Sequence, residues 1–594
     1  MKILLIDPAI SWETSVSLGV ANLATIIQQG GYSVDIVQFQ DAISGKPVEN
    51  DEYSRVFAEY IIKTDARFIG FSATSENYHI WLNTAEHIKS FDSSIVIFFG
   101  GPQATLTADI TMERFAQVDY ILKGECEEVI LDFMRLLKNE TSEEAIPALV
   151  YRKNEKVICQ KMPTLMDSLD DIVIPNYEMI KLKPGKDIDI EVGRGCPYNC
   201  TFCASKTFWK GNIRTKSVGR LIDEIIYFNK KFGKTEFDLV HDIFTANKSY
   251  VKEFCIALIN LELGITWTCS SRVDAIDEEM LYLMEKARCN GIFFGIETGS
   301  RKTQREIRKN IDIDAVVRLL PLINKSKIQA RFAFMCGFPN ETIRELNKTL
   351  DLINRIITTS NSLILMSKCT FFPGTELYNR FKNDIALSTN PSTMTTEVGR
   401  RCAQSIIEEN MDIFPFYYEI QSENRPLYSD TTLFMSTIFS PLYNYFNATI
   451  KVMYAELMSN KSLFYSTVHS FSDKVKKVPY FYEYSILKEK REINQAVFDI
   501  LNELIIVIAE KSSKASAFLE LFRFEIMLFE AIRYGLTRDA HFSYDVATMK
   551  SECKLHDRKS EIIISISRTQ TGFNVNKITL GSAVGAGGER CELP

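Results

Sequence analysis

The sequence predicts an α/β protein with three structured parts and one linker. Short apolar runs alternate with amphipathic helical patterns over residues 1–140, which is typical of a parallel, doubly wound (Rossmann-like) sheet covered on both faces. The same alternation returns over residues 188–385, where repeated βα units without reversal predict a full or partial (β/α) barrel. Helical periodicity dominates residues 386–594, so we expect a mainly helical C-terminal domain.

Five apolar runs predict the strands of the first part. They are Lys2–Ile6, Val34–Phe39, Phe68–Ser72, Ile95–Phe99 and Tyr120–Leu122, with helices predicted over Leu18–Gln29, Tyr53–Lys63 and Asn77–Ser90. Doubly wound sheets bind ligands at the carboxyl ends of their strands. The residues at these ends are small or polar and form a candidate ligand site: Pro8, Ser72, Thr74, Gly100, Gly101, Gly124 and Glu125.

Residues 141–187 are predicted to be a linker, because polar runs and several prolines interrupt any periodicity. Within it, Leu149–Arg152 and Lys156–Cys159 predict a small hairpin. The linker leads to the extended run Ile188–Val192, which is the first predicted strand of the barrel.

The loop after this strand contains three cysteines, Cys196, Cys200 and Cys203, at the spacing C-x3-C-x2-C. Three thiolates can bind three corners of a [4Fe-4S] cluster and leave one iron open, and thiolate donors select iron–sulfur clusters or zinc. Structural zinc prefers four protein ligands, and no fourth cysteine or histidine sits beside this loop. His241 and Cys255 are distant in the sequence but could complete such a site, so zinc stays an alternative.

The later barrel strands each lead into residues that suit an active site. The predicted strands are Phe237–His241, Ile265–Ser270, Gly291–Ile296, Arg331–Cys336 and Ser362–Ser367. Polar residues at the carboxyl ends of barrel strands are typical of catalytic sites. The candidates here are Asp242, Ser270, Arg272, Glu297 and Gly337.

The C-terminal part has strong helical patterns and clusters of aromatic residues. The predicted helices are Thr432–Tyr445, Tyr454–Met458, Ile493–Lys511 and Ala515–Tyr534, and residues 560–568 predict one strand. The glycine-rich stretch 581–594 is expected to be a flexible tail. We expect this part to close the barrel mouth and recognise the substrate.

Composition restricts the protein class. A content of 46% hydrophobic and 24% charged residues is typical of a globular protein, and a net charge of -7 gives no reason to expect a nucleic-acid partner. The apolar stretch Leu501–Ala509 is too short for a membrane span, which needs roughly 20 residues. The 13 cysteines and the lack of a secretion signal favour thiols and metal ligands in a reducing cytoplasm.

Several of these segments resemble motifs of radical SAM enzymes that carry an N-terminal cobalamin-binding domain. The cysteine loop with Gly195 and Phe202 matches the superfamily hallmark. Three barrel segments resemble family segments near S-adenosylmethionine (SAM), namely 267–274, 295–300 and 337–342, and Asp242 resembles the start of a D-x-F-T segment. The first part resembles the cobalamin domain at 7–8, 70–74, 100–102 and 124–125 but lacks the D-x-H-x-x-G signature that ligates cobalt.

The resemblance implies a role for each candidate residue. A [4Fe-4S] cluster bound by the three cysteines would bind SAM at its open iron. Phe202, Asp242, Ser270, Arg272, Glu297 and Gly337 would contact SAM, with Arg272 pairing with its carboxylate and Glu297 with a ribose hydroxyl or the amine. The strand-end residues of the first part would bind cobalamin, close to the backbone where glycines allow it.

The function implied by the resemblance is cobalamin-dependent radical SAM methylation of an unactivated carbon. The substrate would be a natural product, a peptide or a lipid, and a flavodoxin or ferredoxin would donate electrons. A cobalamin-dependent cyclase or rearrangement enzyme is the main alternative. A tRNA methylthiotransferase is disfavoured, because residues 1–150 contain only Cys126 where that class has three further cluster cysteines. A non-catalytic zinc-binding module is the non-enzymatic alternative.

Overall fold

The computed structural model describes residues 1–8, 17–43, 52–162, 165–179, 187–360, 362–388, 403–439, 447–475, 500, 503–508, and four strands between 539 and 582. The chain divides into two compact units, which are described separately. The first comprises residues 1–293, 305–310 and 369–421, and the second comprises residues 294–304, 311–368 and 422–594.

The first unit contains a seven-stranded sheet in the order β2-β1-β3-β4-β5-β6-β7. Its strands are β1 (Lys2–Ile6), β2 (Ser33–Val37), β3 (Phe68–Ser72), β4 (Val96–Gly100), β5 (Tyr120–Leu122), β6 (Leu149–Lys153) and β7 (Lys156–Cys159). The first five strands are parallel, as predicted. The predicted hairpin is confirmed as β6 and β7, which extend the sheet in antiparallel fashion beyond residue 140.

Helices cover both faces of this sheet. They are α1 (Leu18–Gln29), α2 (Phe39–Ile43), α3 (Tyr53–Ile62), α4 (Tyr78–Phe91), α5 (Pro102–Leu106), α6 (Ala108–Arg114) and α7 (Ile130–Leu136). On one face, α1 and α7 pack on Ile3 and Leu5 in one buried cluster. On the other face, Trp81 of α4 packs against Phe71 of β3, with ring centroids 5.8 Å apart. Each strand contributes side chains to both faces of the sheet, because successive side chains point in opposite directions.

A six-stranded sheet in the order β15-β14-β13-β12-β11-β8 forms the central fold. Its strands are β8 (Asp187–Glu191), β11 (Glu236–Val240), β12 (Thr266–Ser271), β13 (Cys289–Glu297), β14 (Gln329–Cys336) and β15 (Leu363–Lys368). Between β8 and β11 lies a short antiparallel pair, β9 (Gly193–Arg194) and β10 (Arg214–Thr215). The parallel pairs β8–β11 and β11–β12 in the first unit and β14–β15 in the second agree with the predicted partial (β/α) barrel.

The helices of this part are α8 (Ser205–Trp209), α9 (Val218–Phe232), α10 (Lys248–Leu261), α11 (Glu278–Lys286), α12 (Arg301–Glu306), α13 (Ile313–Lys325), α14 (Ile343–Thr359) and α15 (Glu376–Phe381). The sequence sets several of their ends. The Ser217 hydroxyl caps α9 by accepting from the Arg220 N–H, and Gly233 ends it in the left-handed conformation at φ +64°. Single 3-10 turns occupy Glu143–Ala145, Leu169–Asp171, Tyr177–Met179, Phe244–Ala246, Val273–Ala275 and Pro415–Tyr417.

Residues 403–421 belong to the first unit rather than to a separate C-terminal part. They contain α16 (Gln404–Glu409) and β17 (Tyr418–Ile420), which pairs antiparallel with β16 (Ile385–Leu387). This segment packs on the first sheet's helices, since Arg114 of α6 forms an ion pair with Asp412 at 2.6 Å.

The rest of the C-terminal region lies in the second unit. It contains α17 (Arg425–Phe434), which continues as a π-helical turn over Met435–Phe439, then α18 (Asn447–Ser459) and α19 (Lys461–Val475). The predicted strand near 560–568 is confirmed as β20 (Ser560–Thr569), within an antiparallel sheet that also contains β18 (Asp539–Asp545), β19 (Lys550–His556) and β21 (Gly572–Ser582). The predicted helices at 493–511 and 515–534 lie outside the described residues, apart from Ile500 and a helical piece at 503–508, and so does the tail from 583.

No helix within the described ranges combines the length and the apolar character needed to cross a bilayer.

Candidate active site

The cysteine loop is anchored in the first unit by backbone contacts on both sides. The Gly195 N–H donates to Oδ2 of Asp242 at 2.9 Å, just beyond the end of β11. The Thr201 N–H donates to the Ile307 carbonyl at 3.0 Å, and the Thr201 carbonyl accepts from the Leu377 N–H at 2.9 Å. Gly195 has φ +92°, and a Cβ at this position would lie 1.8 Å from the Asn212 carbonyl oxygen. The loop path therefore requires glycine immediately before the first cysteine.

The three cysteines of the loop are not in disulfides and are partly exposed, so a cluster can reach them. Burial raises the pKa of Cys196, and it raises the pKa of Cys203 to about 11. Metal coordination deprotonates such thiols outright. Cluster ligands bind different irons and need not converge on one point. Within the described residues, no three His, Cys, Asp or Glu side chains are arranged around a single-ion site.

Arg272 supports this loop from the end of β12. Its Nε and Nη2 donate to the two Asp274 carboxylate oxygens at 2.9 and 2.7 Å, and its Nη1 donates to the Lys309 carbonyl at 2.9 Å. The guanidinium lies 4.0 Å from the ring centroid of Tyr198, which is inside the cysteine loop. The predicted pairing of Arg272 with the SAM carboxylate stays a prediction, since these contacts describe a residue that positions the loop.

The two serines at the end of β12 point in opposite directions. Ser271 is buried, and its hydroxyl lies 2.6 Å from that of Thr245. Trp267, on the same face of the strand, packs against Phe254 of α10 with centroids 5.4 Å apart. Ser270 therefore faces away from α10, on the side where the Thr268 hydroxyl donates to Asp238 at 2.7 Å.

In the second unit, Glu297 ends β13 in a strained conformation. Its φ is +70°, in the left-handed region that residues other than glycine rarely adopt, and it is buried. The amide of Gln304 holds the turn by donating to the carbonyls of Ile296 and Thr298 at 2.7 and 2.8 Å. A strained, buried carboxylate at a barrel strand end is typical of a ligand-binding position.

Gly337, also in the second unit, begins a tight turn that a buried carboxylate closes. Its φ is +82°, and its N–H donates to Oε2 of Glu341 at 2.6 Å. Burial raises the pKa of Glu341 to about 8, although the N–H groups of Gly337 and Phe338 oppose the shift. Helix α17 packs here, since the Tyr428 hydroxyl donates to the Glu341 carbonyl at 2.7 Å and Thr432 Oγ1 lies 3.1 Å from Cys336 Sγ.

A cavity of about 270 Å³ lies at the carboxyl ends of the first sheet. Five of the predicted ligand residues line it: Ser72, Gly100, Gly101, Gly124 and Glu125. Pro8 and Thr74 instead hold Asn77, whose Nδ2 donates to the Pro8 carbonyl at 2.7 Å and whose Oδ1 accepts from the Thr74 N–H at 3.0 Å. At Gly101, with φ +92°, a Cβ would lie 2.8 Å from the Ala73 carbonyl oxygen. The glycines therefore let part of a ligand lie close to the backbone of this cradle.

Sequence reasoning missed the residues that close this cavity on the side of the cysteine loop. Arg194 and Trp209 line it together with Glu125, Glu127 and Glu191. Two signals were available: Arg194 directly precedes Gly195, and three acidic residues follow Gly124 within four positions. His241, considered above as a zinc ligand, is buried against Gly193, and this burial lowers its pKa.

Two family models match the chain. The model described as the Radical SAM superfamily matches residues 190–353, which include the cysteine loop, Glu297 and Gly337. The model described as the B12 binding domain matches residues 13–133, which include most of the cavity lining. The predicted cofactors are confirmed at this level, because the first family uses a [4Fe-4S] cluster and SAM and the second binds cobalamin.

Curated relatives and a solved structure extend the match. An uncharacterized methyltransferase of Pyrococcus horikoshii is 28% identical over 409 residues, covering 67% of this chain and 86% of its own length. Anaerobic magnesium-protoporphyrin IX monomethyl ester cyclase of Synechocystis sp. is 24% identical over 365 residues, covering 59% and 72%. The methyltransferase TsrM from Kitasatospora setae, solved with cobalamin and a [4Fe-4S] cluster, shares the fold at a TM-score of 0.58 and 12% identity, over 79% of this chain and 99% of that chain. Residues 190–353 therefore match the Radical SAM superfamily and residues 13–133 match the B12 binding domain, in the order that the sequence motifs predicted.

Proposed function

We propose that this enzyme is a cobalamin-dependent methyltransferase that transfers a methyl group to an unactivated carbon. One observation carries the proposal: the cavity of the first sheet reaches Arg194, two residues before Cys196, within one compact unit. A corrinoid bound there would lie against the loop that holds the cluster. The relatives include proteins named as methyltransferases, which supports methyl transfer as the reaction.

The residues of the chain have distinct roles in this proposal. When bound, the reduced cluster and SAM supply a 5′-deoxyadenosyl radical and cobalamin supplies the methyl group. Cys196, Cys200 and Cys203 hold the cluster, while Asp242 and Arg272 fix the loop that contains them. Phe202, Ser270, Glu297 and Gly337 contact SAM. Ser72, Gly100, Gly101, Gly124 and Glu125 form the cobalamin cradle.

The C-terminal region is proposed to recognise the substrate. Its helix α17 contacts the Gly337 turn, so it stands beside a strand end of the barrel in the second unit. The substrate class is a natural product, a peptide or a lipid. A flavodoxin or ferredoxin supplies the electron in a reducing cytoplasm, and the described cysteines, which are not in disulfides, support that location. We propose three functional domains: a cobalamin-binding domain over residues 1–140, a radical SAM barrel over 188–385, and a substrate-recognition domain over 386–594.

Products formed from SAM test the proposal. The full chain is reconstituted anaerobically with iron, sulfide and hydroxocobalamin, reduced, and incubated with SAM. We expect both S-adenosylhomocysteine, from methyl transfer to the corrinoid, and 5′-deoxyadenosine, from radical cleavage. Cys203→Ala is expected to lose 5′-deoxyadenosine formation. Continued 5′-deoxyadenosine formation by this variant would refute the cluster assignment.

The alternative function is a cobalamin-dependent cyclase, favoured by the similarity to proteins named as cyclases. A cyclase consumes SAM only for the radical. It would therefore form 5′-deoxyadenosine without S-adenosylhomocysteine in the same assay, and this outcome would replace the methyltransferase proposal.

A further inference from the structure

A buried ion network joins the end of the first sheet to the start of the cysteine loop. Arg194 Nη1 donates to Glu125 Oε1 at 2.8 Å, its Nη2 to Glu127 Oε1 at 2.5 Å, and its Nε to Glu191 Oε1 at 2.8 Å. The Arg194 side chain is only 6% exposed. One guanidinium therefore binds three carboxylates, two of them from the turn after β5 and one from the end of β8.

A second arginine completes the network. Arg214 donates to both Glu125 oxygens, at 2.7 and 2.9 Å, and to the Met166 carbonyl at 2.8 Å. Arg194 and Arg214 are directly paired in the two-stranded ladder of β9 and β10. The Trp209 ring centroid lies 5.8 Å from each guanidinium carbon. Three carboxylates and the Trp209 ring therefore hold the Arg194 side chain in one position.

This network is part of the cavity wall. Glu125, Glu127, Glu191, Arg194 and Trp209 all line the cavity that we assign to cobalamin. Arg194 is also two residues from Cys196, and the intervening Gly195 is fixed by Asp242. A ligand in the cavity would therefore contact the Arg194 side chain, and the backbone of Arg194 leads directly into the cluster loop.

Buried ion networks are rigid, so they can connect the cavity to the cysteine loop. Their hydrogen bonds are directional, and removing one partner leaves an uncompensated charge, so the network holds one arrangement. Surface ion pairs of the chain do not share this property because water screens them.

We propose that Arg194 is a positioning residue that couples the occupancy of the cobalamin cavity to the stability of the [4Fe-4S] loop. The inference rests on the proposed function, because it requires a corrinoid in this cavity. Glu127 and Glu125 hold the arginine towards the cavity, and the backbone of Arg194 continues into the cluster ligand. Bound cobalamin then restricts the loop, and the cluster dissociates more slowly.

The test measures iron loss from the reconstituted full chain rather than activity. A chelator is added with and without saturating hydroxocobalamin, and iron release is followed by absorbance. For the wild type we expect cobalamin to slow iron release by about 5- to 150-fold, the usual range of coupling between two sites. Glu127→Gln removes one carboxylate from the network and is expected to reduce this ratio to near one while corrinoid is still bound at saturation.

Glu224→Gln is the matched control. Glu224 is buried in the same unit and binds Lys216 at 2.9 Å and Arg220 at 2.7 Å, but it does not line the cavity. This variant is expected to keep the wild-type ratio, which separates coupling from a general loss of stability. The g values of the reduced cluster, read apart from the cob(II)alamin signal, give a second readout, since bound cobalamin should shift them in the wild type and in Glu224→Gln but not in Glu127→Gln.

The outcomes separate the two proposals. A wild-type protein that does not retain corrinoid refutes the proposed function. A wild type that binds corrinoid without slower iron release, or a Glu127→Gln variant that keeps the full ratio, overturns the coupling alone. If Glu127→Gln cannot hold a cluster, Arg194→Lys takes its place, because lysine keeps the charge but lacks the fork that binds several carboxylates.

Discussion

Replacing Gly195 by alanine should prevent the cysteine loop from forming. Gly195 has φ +92°, and an L-residue in the left-handed region costs about 1–2 kcal/mol. The added Cβ would also lie 1.8 Å from the Asn212 carbonyl oxygen, whereas real Cβ atoms essentially never approach a heavy atom within 3.0 Å. Since the obstacle is the backbone of Asn212, the chain that leads into β10 must shift, at a cost of roughly 1–3 kcal/mol for overpacking.

Gly211 supplies the matched control for this prediction. It also has a positive φ, of +74°, and it lies between the same loop and β10, but nothing stands within 4 Å of its Cβ position. Gly211→Ala should therefore cost only the backbone strain, about 1–2 kcal/mol. The difference between the two variants isolates the steric clash beside Cys196.

Iron content and thermal unfolding measure the effect. After identical anaerobic reconstitution, we expect Gly195→Ala to hold much less iron per chain than Gly211→Ala and to unfold at a lower temperature. Equal iron content and equal unfolding temperatures in the two variants would show that the loop does not depend on the path through Gly195.

Two further predictions concern the cavity and the barrel. Gly101→Ala places a Cβ 2.8 Å from the Ala73 carbonyl oxygen and should reduce the amount of corrinoid that the protein retains in gel filtration. Gly31→Ala is the control, because Gly31 also has a positive φ but nothing lies within 4 Å of its Cβ position. Equal corrinoid retention by the two variants would contradict the assignment of the cavity to cobalamin. Glu341 has a pKa raised by burial to about 8, so its contribution to stability is complete below pH 4.5 and is lost as the pH rises through 8. The cofactor-free wild type should therefore lose at most roughly 5 kcal/mol of unfolding free energy over this pH range relative to Glu341→Gln. Urea unfolding of both proteins measures this difference. If the unfolding free energies of the two proteins change with pH in parallel, Glu341 is not a buried protonated carboxyl.

The sequence was sufficient for the features that depend on local pattern. The alternating apolar runs predicted the parallel strands β1 to β5 and the β6–β7 hairpin, because strand periodicity is a local property. The cysteine spacing predicted a cluster-binding loop for the same reason, and its ligand set of Cys196, Cys200 and Cys203 stays a prediction. Glycines after the strands of the first sheet indicated where a ligand can approach the backbone.

Contacts between residues that are far apart in the chain could not be predicted from the sequence. Glu125 and Arg194 are 69 residues apart, and no pattern shows that they meet. The contact of Arg272 with the Lys309 carbonyl likewise joins residues 37 positions apart, while its pairing with the SAM carboxylate, which rests on the family resemblance, stays a prediction. The strands β18, β19 and β21 lack the long apolar run that marks β20, so their pairing gave no local signal.

Cofactor stoichiometry tests the central claim most directly. The full chain is reconstituted anaerobically with iron, sulfide and hydroxocobalamin, passed through gel filtration, and assayed for iron, zinc and corrinoid. A radical SAM enzyme with a filled cobalamin cavity should elute with about four irons and about one corrinoid per chain. A colourless protein with one zinc and no corrinoid would contradict both cofactor assignments.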